Sequence, residues 1–151
     1  MKEFKRILFP VDLSETSPKL VPYVATMAEK FGAEIHLLFV ARIFDYFSSV
    51  YVPRDSIDKF ANDLLEGAKK RLEEFRAEYF EAVPSTRAVV IPGDASEEIL
   101  NYVQLKKIDM LILGTHGRKG LDKIVFGSVA ERVAKAAPVP VLLVNPYRSR
   151  T

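Results

Sequence analysis

Five short apolar runs punctuate the chain, and their spacing leaves little freedom in how it can fold. Ile7 to Val11, Ile35 to Val40, Ala88 to Ile91, Asp109 to Leu113 and Val141 to Val144 are each four to six residues long. Their nearly continuous apolar character is that of strands buried on both faces. Helical periodicity fills the gaps. Leu20, Val21, Val24, Ala25, Met27 and Ala28 have helical spacing, with Gly32 as a stop and Ser17-Pro18 as cap and first position. Pro22 falls inside that helix and removes a backbone bond, so a kink or an earlier irregular turn is expected. Ile57, Phe60, Ala61, Leu64, Leu65, Ala68, Leu72, Phe75 and Tyr79 mark one face of a long second helix. Asp55/Lys59 and Glu66/Lys70 are placed for i,i+4 pairing on its solvent side. Asp94 with Glu97 forms a capping box that opens a third helix, carrying Ile99, Leu100 and Val103 inward, and Val129, Ala130, Val133 and Ala134 mark a fourth. Parallel neighbours require crossover helices, so the expectation is an α/β doubly wound domain with a five-stranded parallel sheet.

Composition narrows the function classes. With 151 residues and 48% hydrophobic content, residues 1–151 suffice for one sizeable core, and a single domain is expected. Lys+Arg 22 against Asp+Glu 20 leaves a net charge of +2, too balanced for an electrostatic nucleic-acid binder. Cysteine is absent, which excludes disulfides, zinc–thiolate sites, iron–sulfur clusters and a cysteine nucleophile. No apolar run approaches the roughly 18 residues of a membrane span. The apolar stretch after the basic start Met1 to Arg6 ends at Asp12, short of a signal-peptide core, and a cytoplasmic protein is expected.

In open parallel sheets, ligands bind beyond the carboxyl ends of the strands, where the strand order reverses. The fourth strand runs into Gly114-Thr115-His116-Gly117-Arg118-Lys119-Gly120, and Gly127-Ser128 opens the fourth helix. The spacing is glycine, two residues, glycine, nine residues, Gly-Ser. Glycine permits close backbone approach and positive φ, and the helix start offers the N–H groups of Ser128, Val129 and Ala130 with the positive end of the dipole. Together these pieces suit a di- or triphosphate, with Arg118 or Lys119 neutralising part of its charge. A structural reading stands beside this one: Ser128 to Glu131 is a capping box that needs no ligand, and Gly114 can be a turn residue. The pattern is neither a P-loop nor a dinucleotide fingerprint.

These residues carry a resemblance. Asp109 to Gly117, Gly127 to Val133, Pro138 to Val144 and the opening Ile7-Leu8-Phe9-Pro10-Val11-Asp12-Leu13-Ser14 resemble the universal stress protein family, particularly its ATP-binding branch. The resemblance implies strand order 3-2-1-4-5, in a Rossmann-like arrangement of the adenine nucleotide alpha hydrolase type. It implies that Pro10, Val11, Asp12 and Val40 line the adenine and ribose side. It further implies that Leu113, Gly114, His116, Gly117, Gly127, Ser128, Val129 and Ala130 surround the ribose and phosphates. The cofactor implied is ATP; the same loop could hold one phosphate or three, which leaves AMP and ADP open, and Mg²⁺ could arrive with the nucleotide. Homodimerisation through strand 139–144 is also implied; the alternative is an edge covered by the tail Asn145 to Thr151. Arg148 and Arg150 in that tail read as solvated charges.

Three functions compete: an ATP-dependent switch in stress response, a slow ATPase or nucleotidyl-transfer enzyme using the same pocket, and a nucleotide-free homodimeric interaction protein. Asp12 or Ser14 can also serve simply as caps of the first helix. His36, inside an apolar strand, reads as a hydrogen-bonded structural residue, and His116 as a positioner in the phosphate loop, where histidine charge responds near neutral pH. Two histidines are too few for a tri-histidine metal site, and no metal site is expected. The aromatic connection Phe44 to Pro53 has two readings, packing against the core or acting as a lid or partner patch.

Overall fold

The computed structural model describes residues 1–43, 51, 53–83, 85–116 and 127–148. Strands β1 (Arg6–Pro10), β2 (Glu34–Ala41), β3 (Thr86–Pro92), β4 (Met110–Gly114) and β5 (Val141–Val144) form one sheet in the order β3-β2-β1-β4-β5. Every pairing is parallel, with Ile7 opposite Ile35 on one side and Met110 on the other. The expected fold class and strand order are therefore met. Helices α1 (Ser17–Phe31), α2 (Arg54–Phe80), α3 (Ala95–Leu105) and α4 (Ser128–Ala136) supply the crossovers.

Alternate residues of each strand enter different cores. Ile7, Phe9, Ile35, Leu37 and Ile112 pack with Leu20, Val24 and Ala28 of α1 and Leu72, Phe75 and Phe80 of α2. Leu8, Leu38, Leu111 and Leu113 pack with Ile99, Tyr102 and Val103 of α3 and Val133 of α4. Burial on both faces is the reason that the strand sequences show almost no polar alternation. Asp109 stands just before β4, where its Oδ2 accepts the N–H groups of Lys5 and Arg6 at 2.9 and 3.0 Å. The carboxylate thus ties the start of β1 to the start of β4.

Several boundaries differ from the sequence reading for identifiable reasons. Thr16, not Ser17, is the N-cap of α1, and no side chain caps it. The helix is a single element through Pro22. Pro22 is exposed, so the carbonyl it leaves unpaired lies within reach of water. Gly32 at φ 59 closes α1, and the Ala33 N–H reaches back to the Ala28 carbonyl at 2.9 Å. Asp94 caps α3 as expected, accepting from the Glu97 N–H at 3.0 Å. Helix α2 has 27 residues and is about 40 Å long, whereas the seven residues of β3 span about 23 Å. The helix outruns the sheet, so Ala68, Leu72, Phe75 and Phe80 are buried while Phe60 is 41% exposed. On its solvent side Glu66 bonds Lys69 rather than Lys70, and no ion pair joins Asp55 to Lys59.

His36 bears out its structural reading. It is 4% exposed, and Nδ1 lies 2.8 Å from the Tyr102 hydroxyl. Burial holds the Tyr102 phenol neutral by raising its pKa, so the hydroxyl can donate to Nδ1 and leave the imidazole proton on Nε2. Nε2 approaches Glu34 Oε1 at 3.4 Å without hydrogen-bond geometry, and the Glu34 carboxylate is engaged by Arg87. Burial is the main cause lowering the His36 pKa; Glu34 opposes it, and Arg87, Arg6 and Lys106 reinforce it. The native imidazole is therefore neutral, and on acidification the unfolded chain takes up its proton first. Stability is expected to be complete above the ordinary histidine range and to fall as pH drops through it. Chemical denaturation of wild type and His36→Gln between pH 7.5 and 5.5 checks this, with a smaller loss in the variant; equal losses would contradict it.

Candidate functional site

The strand order reverses between β1 and β4, so the chain leaves these neighbours in different directions and opens a crevice at their carboxyl ends. Two backbone bonds build one wall. The Thr115 N–H donates to the Val144 carbonyl at 2.9 Å, and the Gly127 N–H donates to the Thr115 carbonyl at 2.8 Å. The start of α4 is thereby pinned against the end of β4, although twelve positions separate Thr115 from Gly127. A Cβ on Gly114 would lie 3.2 Å from the His116 carbonyl oxygen, and one on Gly127 would lie 3.2 Å from the Thr115 carbonyl oxygen. Neither glycine has positive φ; close backbone approach is what each position requires. Gly117 and Arg118, also expected here, lie outside the described residues.

Gly127 is the N-cap of α4, and no side chain caps the helix. Ser128 is therefore the first helical residue, not the cap of a capping box, and the frame is shifted by one. Glu131 is consequently one position too far along to reach back, and it bonds Lys135 Nζ at 2.7 Å. The Glu131 N–H takes the Gly127 carbonyl at 2.9 Å as the first helical bond. The N–H groups of Ser128, Val129 and Ala130 have no acceptor among the described residues. Three uncapped donors at the positive end of a helix dipole form a surface suited to an anion.

The opposite wall is the segment after β1. Asp12 Oδ1 accepts from the Ser14 N–H at 3.0 Å, Ser14 Oγ at 2.7 Å and Ser17 Oγ at 2.9 Å. Ser14 Oγ also meets Thr16 Oγ1 at 2.9 Å, and Thr16 and Ser17 are buried. This network holds Leu13 at φ 59, a left-handed conformation unusual for a branched side chain. Neither Asp12 nor Ser14 caps α1, contrary to one of their readings: the N-cap is Thr16 and carries no side-chain cap bond, and Asp12 instead organises the loop before the helix. Its Oδ2 has no hydrogen-bond partner among the described residues and remains available to a ligand.

The other expected residues divide by what they can offer. Val11 and Leu113 are buried in the two cores, at 6% and 5% exposure, so only their backbone can face a ligand. Pro10 ends β1 and is half-buried. Val40 is half-buried on β2 and packs beside the α3–α4 core, an apolar wall next to β1. In the aromatic connection, residues 44–50 and 52 lie outside the described residues, while Tyr51 is 97% exposed.

His116 is half-buried, with Nδ1 2.9 Å from Thr115 Oγ1. Two residues absent from the sequence reading join it. The Tyr147 ring meets the His116 ring edge to face, with centroids 5.4 Å apart and planes at 84°. Lys19 Nζ lies 4.7 Å from the centroid of the Tyr147 ring. No local pattern could have signalled this, because the groups come from α1, from the loop after β4 and from the segment beyond β5. Among the described residues, no group of three His, Asp or Glu side chains could hold a metal ion.

Sheet order and facing loops define a Rossmann-like α/β domain with its candidate site at the switch point. A model of the universal stress protein family matches residues 3–145. Universal stress protein MJ0531 of Methanocaldococcus jannaschii is 30% identical over 143 residues, covering 94% of this chain and 82% of the relative. Universal stress protein MJ0577 of the same organism is 30% identical over 158 residues, covering 97% and 98% respectively. The solved structure of MJ0577 aligns with a TM-score of 0.82 at 28% identity, covering 99% of this chain and 100% of that one. A universal stress protein solved in complex with cAMP aligns at 0.62 and 18% identity, covering 96% and 99%, and shares the fold. The chain belongs to the universal stress protein family.

The Asp12 network separates fold from site. Asp12→Ala leaves the Ser14 N–H and buried Ser17 hydroxyl without their acceptor and is expected to cost about 2 kcal/mol. Asp12→Asn keeps an acceptor oxygen for these donors and is expected to stay within about 1 kcal/mol of wild type. Urea denaturation checks both values; equal destabilisation would contradict the assigned hydrogen-bond role.

Proposed function

We propose that the protein is an ATP-binding universal stress protein, a switch in which bound nucleotide stabilises one conformation or dimer surface. The observation that carries this reading is the set of three N–H groups at Ser128, Val129 and Ala130 without a partner among the described residues, held at the end of β4 by the Gly127–Thr115 bond. The chemistry of the donor set suits an adenine nucleotide. The amide N–H groups can donate to phosphate oxygens, Asp12 Oδ2 can accept from the adenine amino group or a ribose hydroxyl, and Val40 offers an apolar wall. The relative solved with cAMP supports an adenine nucleotide as the ligand class on this fold.

A switch is favoured over an enzyme by the chemistry of the described residues. Asp12, the carboxylate assigned to the site, has one of its oxygens occupied by three donors. Mg²⁺ in this reading comes with the nucleotide and is ligated mainly by phosphate and water. The proposal also includes a homodimer through strand 139–144. Val141, Leu142 and Leu143 are only half-buried on β5, an edge strand with β4 on one side. No helix among the described residues is long and apolar enough to cross a membrane. The proposal places the protein in the cytoplasm.

Ser128→Glu tests the site without threatening the fold, because an acidic side chain in the first turn favours the helix yet repels phosphate. Calorimetric titration is expected to show ATP affinity reduced at least about tenfold with thermal stability unchanged or raised. ATP affinity equal to that of wild type would overturn the phosphate assignment. Sedimentation equilibrium on the same preparations reads the dimer, and a monomer at tens of micromolar would remove that part of the proposal.

A further inference from the structure

Beyond β5 the chain turns back over the candidate site. The Val144 carbonyl is bonded by the Thr115 N–H, so the chain leaves β5 beside the loop that carries His116. Asn145 Oδ1 then accepts the Tyr147 N–H at 3.0 Å, an Asx-type turn that redirects the backbone. The Tyr147 ring lands edge to face on His116, with 5.4 Å between centroids, and lies 4.7 Å from Lys19 Nζ. Leu20, the neighbour of Lys19, approaches Gly114 so closely that a Cβ there would be 3.4 Å from its Cδ2. The first turns of α1, the loop after β4 and the segment after β5 therefore meet around one aromatic ring.

We propose that Tyr147 is a positioning residue of the nucleotide site and that Lys19, held by its ring, is a cation selecting for the outer phosphates. The proposal rests on the nucleotide reading given above. His116 is fixed by Thr115 Oγ1 at Nδ1 and by Tyr147 against its ring. Lys19 is exposed, and as a free side chain it would sample many rotamers. Its contact with the Tyr147 π-face confines the ammonium group beside the ring that also meets His116, just beyond the carboxyl ends of β4 and β5. A cation so placed adds attraction that grows with ligand charge, so ATP gains more than AMP.

Tyr147 is 47% exposed and lies outside both cores, so its replacement should leave the fold intact. The test uses Tyr147→Leu, Tyr147→Phe and Lys19→Met in the full chain. Tyr147→Leu is expected to weaken ATP binding about fivefold, whereas Tyr147→Phe, which keeps the ring, stays within about twofold. Lys19→Met is expected to weaken ATP about fivefold and AMP less than about twofold, with a shallower salt dependence for ATP. In nucleotide-free protein, the His116 ring-proton NMR signals should shift in Tyr147→Leu and hold their positions in Lys19→Met. Unchanged ATP affinity in Tyr147→Leu, an equal loss in Tyr147→Phe, or equal losses for ATP and AMP in Lys19→Met would overturn the proposal. If wild type binds no adenine nucleotide, the functional reading fails and this proposal with it. A His116 signal that still responds to Tyr147→Leu would then identify the ring cluster as purely structural.

Discussion

Burial of β1 on both faces is the constraint from which the other features follow. Ile7, Leu8 and Phe9 are 0%, 0% and 1% exposed, and the strand has parallel neighbours on either side. A strand in this position must send one side chain into each core alternately, so both layers of helices have to be present. It also occupies the point where the strand order reverses. The loops after β1 and β4 are therefore neighbours at the carboxyl ends of the strands, and among the described residues no crossover helix runs between them. The site's location is a consequence of the packing, not an addition to it.

At that crevice the chain leaves backbone donors unspent. The Gly127 N–H goes to Thr115, and the Glu131 N–H goes to Gly127, but the three amides between them have no described partner. A helix start is ordinarily satisfied by a side-chain cap or by water. Here the cap position is glycine, whose missing side chain is required by the 3.2 Å approach of the Thr115 carbonyl oxygen. Close packing and uncapped amides thus have one cause. On the other wall, the Asp12 network holds Leu13 at positive φ and keeps a second carboxylate oxygen free. Backbone strain maintained by a local network at the mouth of a crevice is an arrangement typical of ligand sites.

Much of the fold was legible because each strand, as a short doubly buried run, carries its own signal. The limits of that legibility are also physical. The apolar face read along α2 continued to Ile57, but only its second half meets the sheet, since periodicity reports a helical face and not the length of the partner beneath it. Thr16 replaced Ser17 and Gly127 replaced Ser128 as caps, because the frame of a helix start depends on the loop that feeds it. For the candidate site, local pattern pointed to Gly114, Gly127 and the amides of Ser128 to Ala130. It could not reveal that Gly127 spends its own N–H on Thr115, or that Asp12 spends one oxygen on α1. Tyr147 and Lys19 escaped entirely, for their meeting depends on three segments distant in sequence. Tyr147 follows an Asn-Pro turn in what reads as a polar tail, and a single exposed aromatic residue carries no periodicity.

In the proposed function, the uncapped start of α4 and the unbonded Oδ2 of Asp12 hold an adenine nucleotide. Mass spectrometry of small molecules released from the purified, denatured protein, paired with ATP titration of nucleotide-stripped wild type, tests it most directly. An adenine nucleotide in the released fraction, or saturable ATP binding by the stripped protein, is expected. Neither a released nucleotide nor measurable ATP affinity would contradict it, and would leave an interaction protein built on the same fold.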